Sequence, residues 1–161
     1  MGHGAWDMGQ VPDSGLGRRE TRARLPARFS SLILETSFLL DFEREHNRGV
    51  PGPALAFLEA QEDARLHITF TIAGELAAGL SLEDRARWDE FISPFHVLPS
   101  NADVAWEYGR AYRFLQGNRM LIGANDLWIA ATGLAYRMPI VTRNVELYRR
   151  VPNLQVITYR S

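Results

Sequence analysis

FSSLILETSFLL, residues 29–40, carries a single charge, Glu35. Leu32 to Leu34 is an apolar run that reads as a short buried strand, and from about Phe38 to His46 the apolar spacing becomes helical, so Glu35 falls where strand gives way to helix. The pattern recurs twice. ITFTIAGELAAGLSL (68–82) has Glu75 as its only charge, and MLIGANDLWIAATGLAY (120–136) has only Asp126. Segments this apolar belong in a core, where an ionised carboxylate is retained only when it is paired, strongly hydrogen-bonded or bound to a metal. Each acid also has an ordinary explanation: Asp126 suits a helix start, Glu75 could point outward, and Glu35 could accept hydrogen bonds at a strand end.

Outward from these segments, strands are expected at 32–34, 66–70, 95–98, 139–142 and 154–159. Helices are expected at about 38–46, 53–63, 71–80, 83–92, 101–116 and 124–137, with a Gly/Pro break at 49–53. Short, nearly uncharged strands alternating with helices predict an α/β fold with a mainly parallel central sheet of about five strands, flanked by helices. Such sheets gather functional groups at the carboxyl ends of their strands and at the helix starts beyond them, where Glu35 and Asp126 fall. Asn144, two residues past Thr142, is a fourth candidate at a strand end; an ordinary helix cap is its alternative. Residues 1–29, rich in Gly, Pro and Arg without apolar periodicity, read as a disordered arm before a single domain over 30–161.

Composition narrows the chemistry. The chain has 161 residues, 46% of them hydrophobic, enough for one continuous core. With no cysteine, thiolate catalysis, disulfides and cysteine-bound zinc are excluded. His3, His46, His67 and His96 lack metal-ligand spacing and read as core or surface residues. No apolar run approaches a membrane span and no secretion signal is visible, so a soluble, cytoplasmic protein is expected. The net charge of −1 argues against gripping nucleic acid by bulk electrostatics and leaves only a local patch. All 18 basic residues are arginines, so any phosphate contact is an arginine contact.

At the three acids the sequence resembles the PIN-domain nucleases and, within them, the VapC-type toxins. Leu34-Glu35-Thr36-Ser37 is similar to the family's L-D-T-S/N, and Gly74-Glu75-Leu76 to its A-E-L helix. Gly123-Ala124-Asn125-Asp126 through Ile129-Ala130-Ala131 is similar to G-x-N-D-x-x-I-A-A, and Val141-Thr142-Arg143-Asn144 to V-T-R-N/D. The resemblance implies a PIN-like fold and a divalent metal, Mg²⁺ or Mn²⁺, at Glu35, Glu75 and Asp126, with Asn144 as the uncharged fourth catalytic member. Thr36 and Ser37 would orient the first acid or the substrate phosphate. The implied activity is endoribonuclease cleavage of structured RNA, the toxin half of a toxin–antitoxin pair. Implied partners are RNA, a second copy of the chain and a small VapB-like antitoxin.

One position departs from the pattern: Glu35 stands where the family has Asp, and its carboxylate lies one methylene farther from the backbone. Natural variant, weakened enzyme and disabled mutant are all compatible with it. The competing function is a degenerate PIN module that binds RNA or protein without cleaving; a DNA-directed nuclease is a third. Arg110 and Arg113, three apart on one helix, with Arg119 beyond, are candidates to track a phosphate backbone, against a solvated helix face. Arg18, Arg19, Arg22, Arg24 and Arg28 of the arm could also touch RNA; an overlong start or cloning remnant is the alternative. Trp106, Tyr108, Tyr112, Phe114 and Trp128 exceed what one helical layer buries, so part of this set is expected at an interface.

Overall fold

The structure, a computed structural model, describes residues 28–160. Five strands run in parallel: β1 (Ser31–Leu34), β2 (Arg65–Thr69), β3 (His96–Leu98), β4 (Ile140–Val141) and β5 (Val156–Ile157), in the order β3-β2-β1-β4-β5. The helices are α1 (Thr36–Arg48), α2 (Pro53–Ala60), α3 (Phe70–Ala78), α4 (Arg85–Ile92), α5 (Ala102–Gly117), α6 (Ala124–Tyr136) and α7 (Val145–Tyr148), with a 3-10 turn at Leu80–Leu82. Strand order reverses at β1, which pairs with β2 on one side and β4 on the other. That reversal leaves a crevice at the carboxyl ends of β1 and β4, the position where open parallel sheets bind ligands.

Central strands covered on both faces carry continuous apolar runs. Leu32, Ile33 and Leu34 of β1, Ile68 of β2 and Ile140 and Val141 of β4 are fully buried, packed with Phe38, Leu39, Ile72, Leu115, Leu127, Ile129 and Tyr148 from the helices. Gly133 sets how closely α6 lies on the sheet: a Cβ there would meet Leu154 Cδ1 at 2.9 Å and Ile140 Cδ1 at 3.0 Å.

The element boundaries differ where side chains act as caps. α1 begins at Thr36 rather than Phe38 because Glu35 itself caps it, accepting from the Ser37 N–H. The expected helix at 83–92 starts at Arg85, capped by Asp84, after the separate 3-10 turn. α7 is the short helix implied by the capping alternative for Asn144, and β5 is shorter than its apolar run of 154–159. Phe29 already belongs to the packed unit: its N–H donates to Gln61 Oε1 at 2.9 Å. Arg18, Arg19, Arg22 and Arg24, and most of the expected arm, lie outside the described residues. No helix among the described residues is long and apolar enough to cross a membrane.

α6 ends on a strained cap. Arg137 has φ +54°, a left-handed conformation that costs a residue with a Cβ roughly 1–2 kcal/mol and a glycine almost nothing. Arg137→Gly should therefore stabilise the protein by about 0.5–1 kcal/mol, after allowance for the greater freedom of glycine in the unfolded chain. The urea midpoint should rise at unchanged m-value.

Candidate active site

Three elements bring the three acids to the crevice. Glu35 follows β1 directly, Glu75 lies on the second turn of α3, and Asp126 on the first turn of α6. Glu35 is buried, with 4% of its surface exposed. Its Oε2 accepts from the Ser37 N–H at 3.0 Å, from Thr142 Oγ1 at 2.8 Å and from the Ser37 hydroxyl. The Glu35 carboxylate thus folds back onto its own helix start.

Glu75 and Asp126 are each held by one hydroxyl. Thr36 Oγ1 donates to Glu75 Oε1 at 2.9 Å, and Tyr148 OH donates to Asp126 Oδ1 at 3.2 Å. Thr36 thus orients the second acid, not the first, whereas Ser37 orients the first as expected. Asn144 is exposed and contributes its backbone, donating N–H to Thr142 Oγ1 at 3.0 Å; its side chain makes no cap bond to α7, so the ordinary capping role is absent. Arg110 and Arg113 are exposed on α5, where Arg110 Nε lies 3.7 Å from Glu107 Oε2 and the Arg113 guanidinium sits 5.7 Å from the Trp106 ring centre. Neither contact reaches the three acids.

Thr142 and Tyr148 do not stand out in the sequence, yet each donates a hydrogen bond to one of the three acids. Tyr148 is fully buried, and burial raises its hydroxyl far above the ordinary value, helped by the charges of Glu35, Asp126 and Glu75. The hydroxyl keeps its proton and donates a hydrogen bond to Asp126. The only sequence signal for Tyr148 was an aromatic residue four positions after Asn144, one helical turn away.

Glu75 shows the crowding most directly. Burial lifts its pKa above the usual carboxylate range and the charges of Glu35 and Asp126 add to the rise, while hydrogen bonds from Thr36 and Asn125 oppose it. Folded Glu75 therefore keeps its proton at pH values where the unfolded chain has lost it. The contribution is stabilising below the ordinary value of 4.5 and is lost as pH rises through the raised value. In metal-free protein, melting temperature should fall across that interval, and Glu75→Gln should remove the fall.

This donor set is all oxygen, mutually repelling and without a cation of its own among the contacts described, which is the chemistry that suits a hard divalent ion. Among the described residues no three acidic or imidazole side chains stand close enough to hold one ion together. Mg²⁺ rarely needs three, since it commonly takes one or two carboxylates and completes its shell with water and substrate phosphate.

His67 is buried beside His96 on the neighbouring strand, with ring centres 5.4 Å apart, and burial lowers its pKa; both are sheet residues, as expected for histidines without ligand spacing. On α5 and α6, Tyr108 stacks on Trp128 at 3.9 Å, whereas Trp106 is 61% exposed and Phe114 43%.

The fold is thus a five-stranded parallel α/β sheet with three hydroxyl-held carboxylates at its reversal point. The chain belongs to the PIN-domain family, whose model matches residues 32–153. Its curated relatives include ribonuclease VapC1 of Haemophilus influenzae (strain R2866), 31% identical over 96 residues, a match covering 56% of this chain and 72% of that protein. Ribonuclease VapC of Rickettsia bellii is 39% identical over 66 residues, which is 41% of this chain and about half, 49%, of the relative's length. Among solved structures, VapBC2 from Rickettsia felis bound to a DNA fragment from their promoter matches with a TM-score of 0.70 at 24% identity, covering 81% of this chain and 99% of that one. VapBC-1 from nontypeable Haemophilus influenzae matches with a TM-score of 0.67 at 23% identity, covering 80% and 98%. At these identities the structural likeness speaks for the fold.

Proposed function

We propose that this chain is a divalent-metal-dependent endoribonuclease, the toxin of a toxin–antitoxin pair, with Glu35, Glu75 and Asp126 as its metal and catalytic residues and Asn144 as their uncharged auxiliary. The observation that carries the proposal is the meeting at one crevice of three carboxylates each held by a hydroxyl, Glu35 by Ser37 and Thr142, Glu75 by Thr36 and Asp126 by Tyr148. Family membership and the ribonuclease names of its relatives support the activity. Mg²⁺ or Mn²⁺ fits the oxygen donors.

Bound there, the ion would supply Lewis-acid stabilisation of the phosphate oxygens and lower the pKa of an attacking water. The chain's own residues do the rest. Ser37 and Thr142 fix Glu35, Thr36 fixes Glu75 through Oε1, and Tyr148 fixes Asp126 through Oδ1. Preorganised in this way, the acids need little rearrangement when charge develops on the phosphate. Glu75, whose Oε1 is held by Thr36, is the carboxylate assigned to take a proton from the attacking water.

Its substrate would be a structured RNA with an exposed loop, because unstacked bases are what proteins read in RNA. Its partners would be a small VapB-like antitoxin and a second copy of the chain; the solved relatives bearing the name VapBC motivate the first. The exposed Trp106, Tyr112 and Phe114 of α5 motivate the second. Side-by-side incubation of RNA and DNA hairpins with Mg²⁺, Mn²⁺ and chelator tests the activity. RNA cleavage restricted to the metal-containing samples is expected.

The engagement of Glu35 by three donors favours one alternative: a module that binds RNA or protein without cutting. A fold that gains no thermal stability from Mn²⁺ and cleaves no RNA pool would establish that alternative instead.

A further inference from the structure

Beside the acidic crevice the fold gathers charge of the opposite sign. Asp41 lies on α1 one turn beyond Ser37 and is buried, with 5% of its surface exposed. Its Oδ1 accepts from Arg44 Nη1 at 3.4 Å and Arg143 Nη1 at 3.0 Å; its Oδ2 accepts from Arg160 Nη2 at 2.7 Å and from the Tyr159 hydroxyl. Three guanidiniums therefore converge on one carboxylate, an excess of two positive charges (three minus one). The side chains of Arg44, Arg143 and Arg160 stay 57%, 35% and 50% exposed. Neutralising a buried carboxylate needs one guanidinium, so the other two retain donors facing solvent.

The cluster adjoins the proposed active site. Arg143 N–H donates to Ser37 Oγ at 2.9 Å, and that hydroxyl bonds Glu35. At 1.5 Å rise per residue, Asp41 stands about 6 Å and Arg44 about 10 Å along α1 from Ser37. Glu45, the next acid on this helix after Arg44, turns away to cap α2, accepting from the N–H groups of Gly52, Ala54 and Leu55.

We propose that Arg44, Arg143 and Arg160 form a phosphate-binding site that holds an RNA backbone phosphate flanking the one at the carboxylates. Guanidinium forks suit phosphate oxygens, and Asp41 pre-sets them at a common point. Contacts of this kind fix position along the strand without reading sequence. They also let a chain of net charge −1 keep a polyanion beside three carboxylates. The inference rests on the ribonuclease reading.

The test uses the full chain carrying Asp126→Asn to prevent turnover, a labelled single-stranded RNA, and affinity measured against NaCl concentration. Arg44→Gln with Arg160→Gln should flatten the slope of log affinity against log salt by about 0.7 for each phosphate released. Lysine at both positions should keep the slope. Arg143 remains to pair Asp41, and Arg44→Gln alone, which leaves two guanidiniums in place, serves if the double variant melts early. An unchanged slope in these variants, or flattening only in an Arg110→Gln, Arg113→Gln variant, overturns the proposal. Cleavage by the otherwise unaltered chain is scored separately. Cleavage with an unchanged slope sinks the arginine site alone, and a flattened slope without any cleavage sinks the ribonuclease reading alone.

Discussion

Asp126→Asn is expected to lower metal-dependent RNA cleavage by roughly 10³-fold, about 4 kcal/mol of transition-state stabilisation, while the protein melts at the same temperature or higher. The two halves of that expectation have separate causes. Asparagine keeps the Oδ1 acceptor that Tyr148 uses, so the contact between α6 and α7 survives. It removes one of three like charges that act on one another across the crevice, which relieves the folded state in the absence of metal. Cleavage assays with Mn²⁺ and thermal melts in chelator measure the two halves independently. Unchanged cleavage would remove Asp126 from the site.

Glu35 is where stability and activity are joined, and its variants should separate them. Glu35→Ala deprives the Ser37 N–H, the Ser37 hydroxyl and the Thr142 hydroxyl of their shared acceptor. Loss of a helix cap costs about 1 kcal/mol, and stranding buried donors costs a similar amount, so a destabilisation of about 2 kcal/mol is expected together with loss of cleavage. The melting temperature should drop by roughly 5–10 °C. Glu35→Asp should behave differently. Aspartate is an excellent N-cap, so stability should stay within about 1 kcal/mol, and the shorter side chain restores the residue of the family pattern. Cleavage should then reach half-maximum at lower Mn²⁺ than in the unaltered chain. If Glu35→Asp cleaves less well, the pocket has been shaped around the longer side chain.

Much of this was legible before any coordinates. A parallel α/β sheet followed from apolar runs too continuous for half-exposed strands, and lone charges inside such runs pointed to Glu35, Glu75 and Asp126. What escaped was the hydrogen bonding between segments. Thr142 and Tyr148 are ordinary residues in their own neighbourhoods, and only the β1–β4 pairing sets Thr142 against Glu35, 107 positions away. Asp41 sits on the same helical face as Phe38 and Phe42, which reads as the polar margin of an amphipathic helix; its burial depends on Arg143, between β4 and α7, and on Arg160, beyond β5.

The separation between Glu35 and Thr142 also orders events in time. The first acid leaves the ribosome among the earliest parts of the domain, and the hydroxyl that locks it comes 107 residues later, roughly 5–20 s at ordinary synthesis rates. Until β4 docks, Glu35 lacks that anchor and Tyr148 has not reached Asp126. A nascent chain therefore presents its first acid without this anchor, and the crevice is completed only after the residues around Thr142 and Tyr148 have emerged and docked.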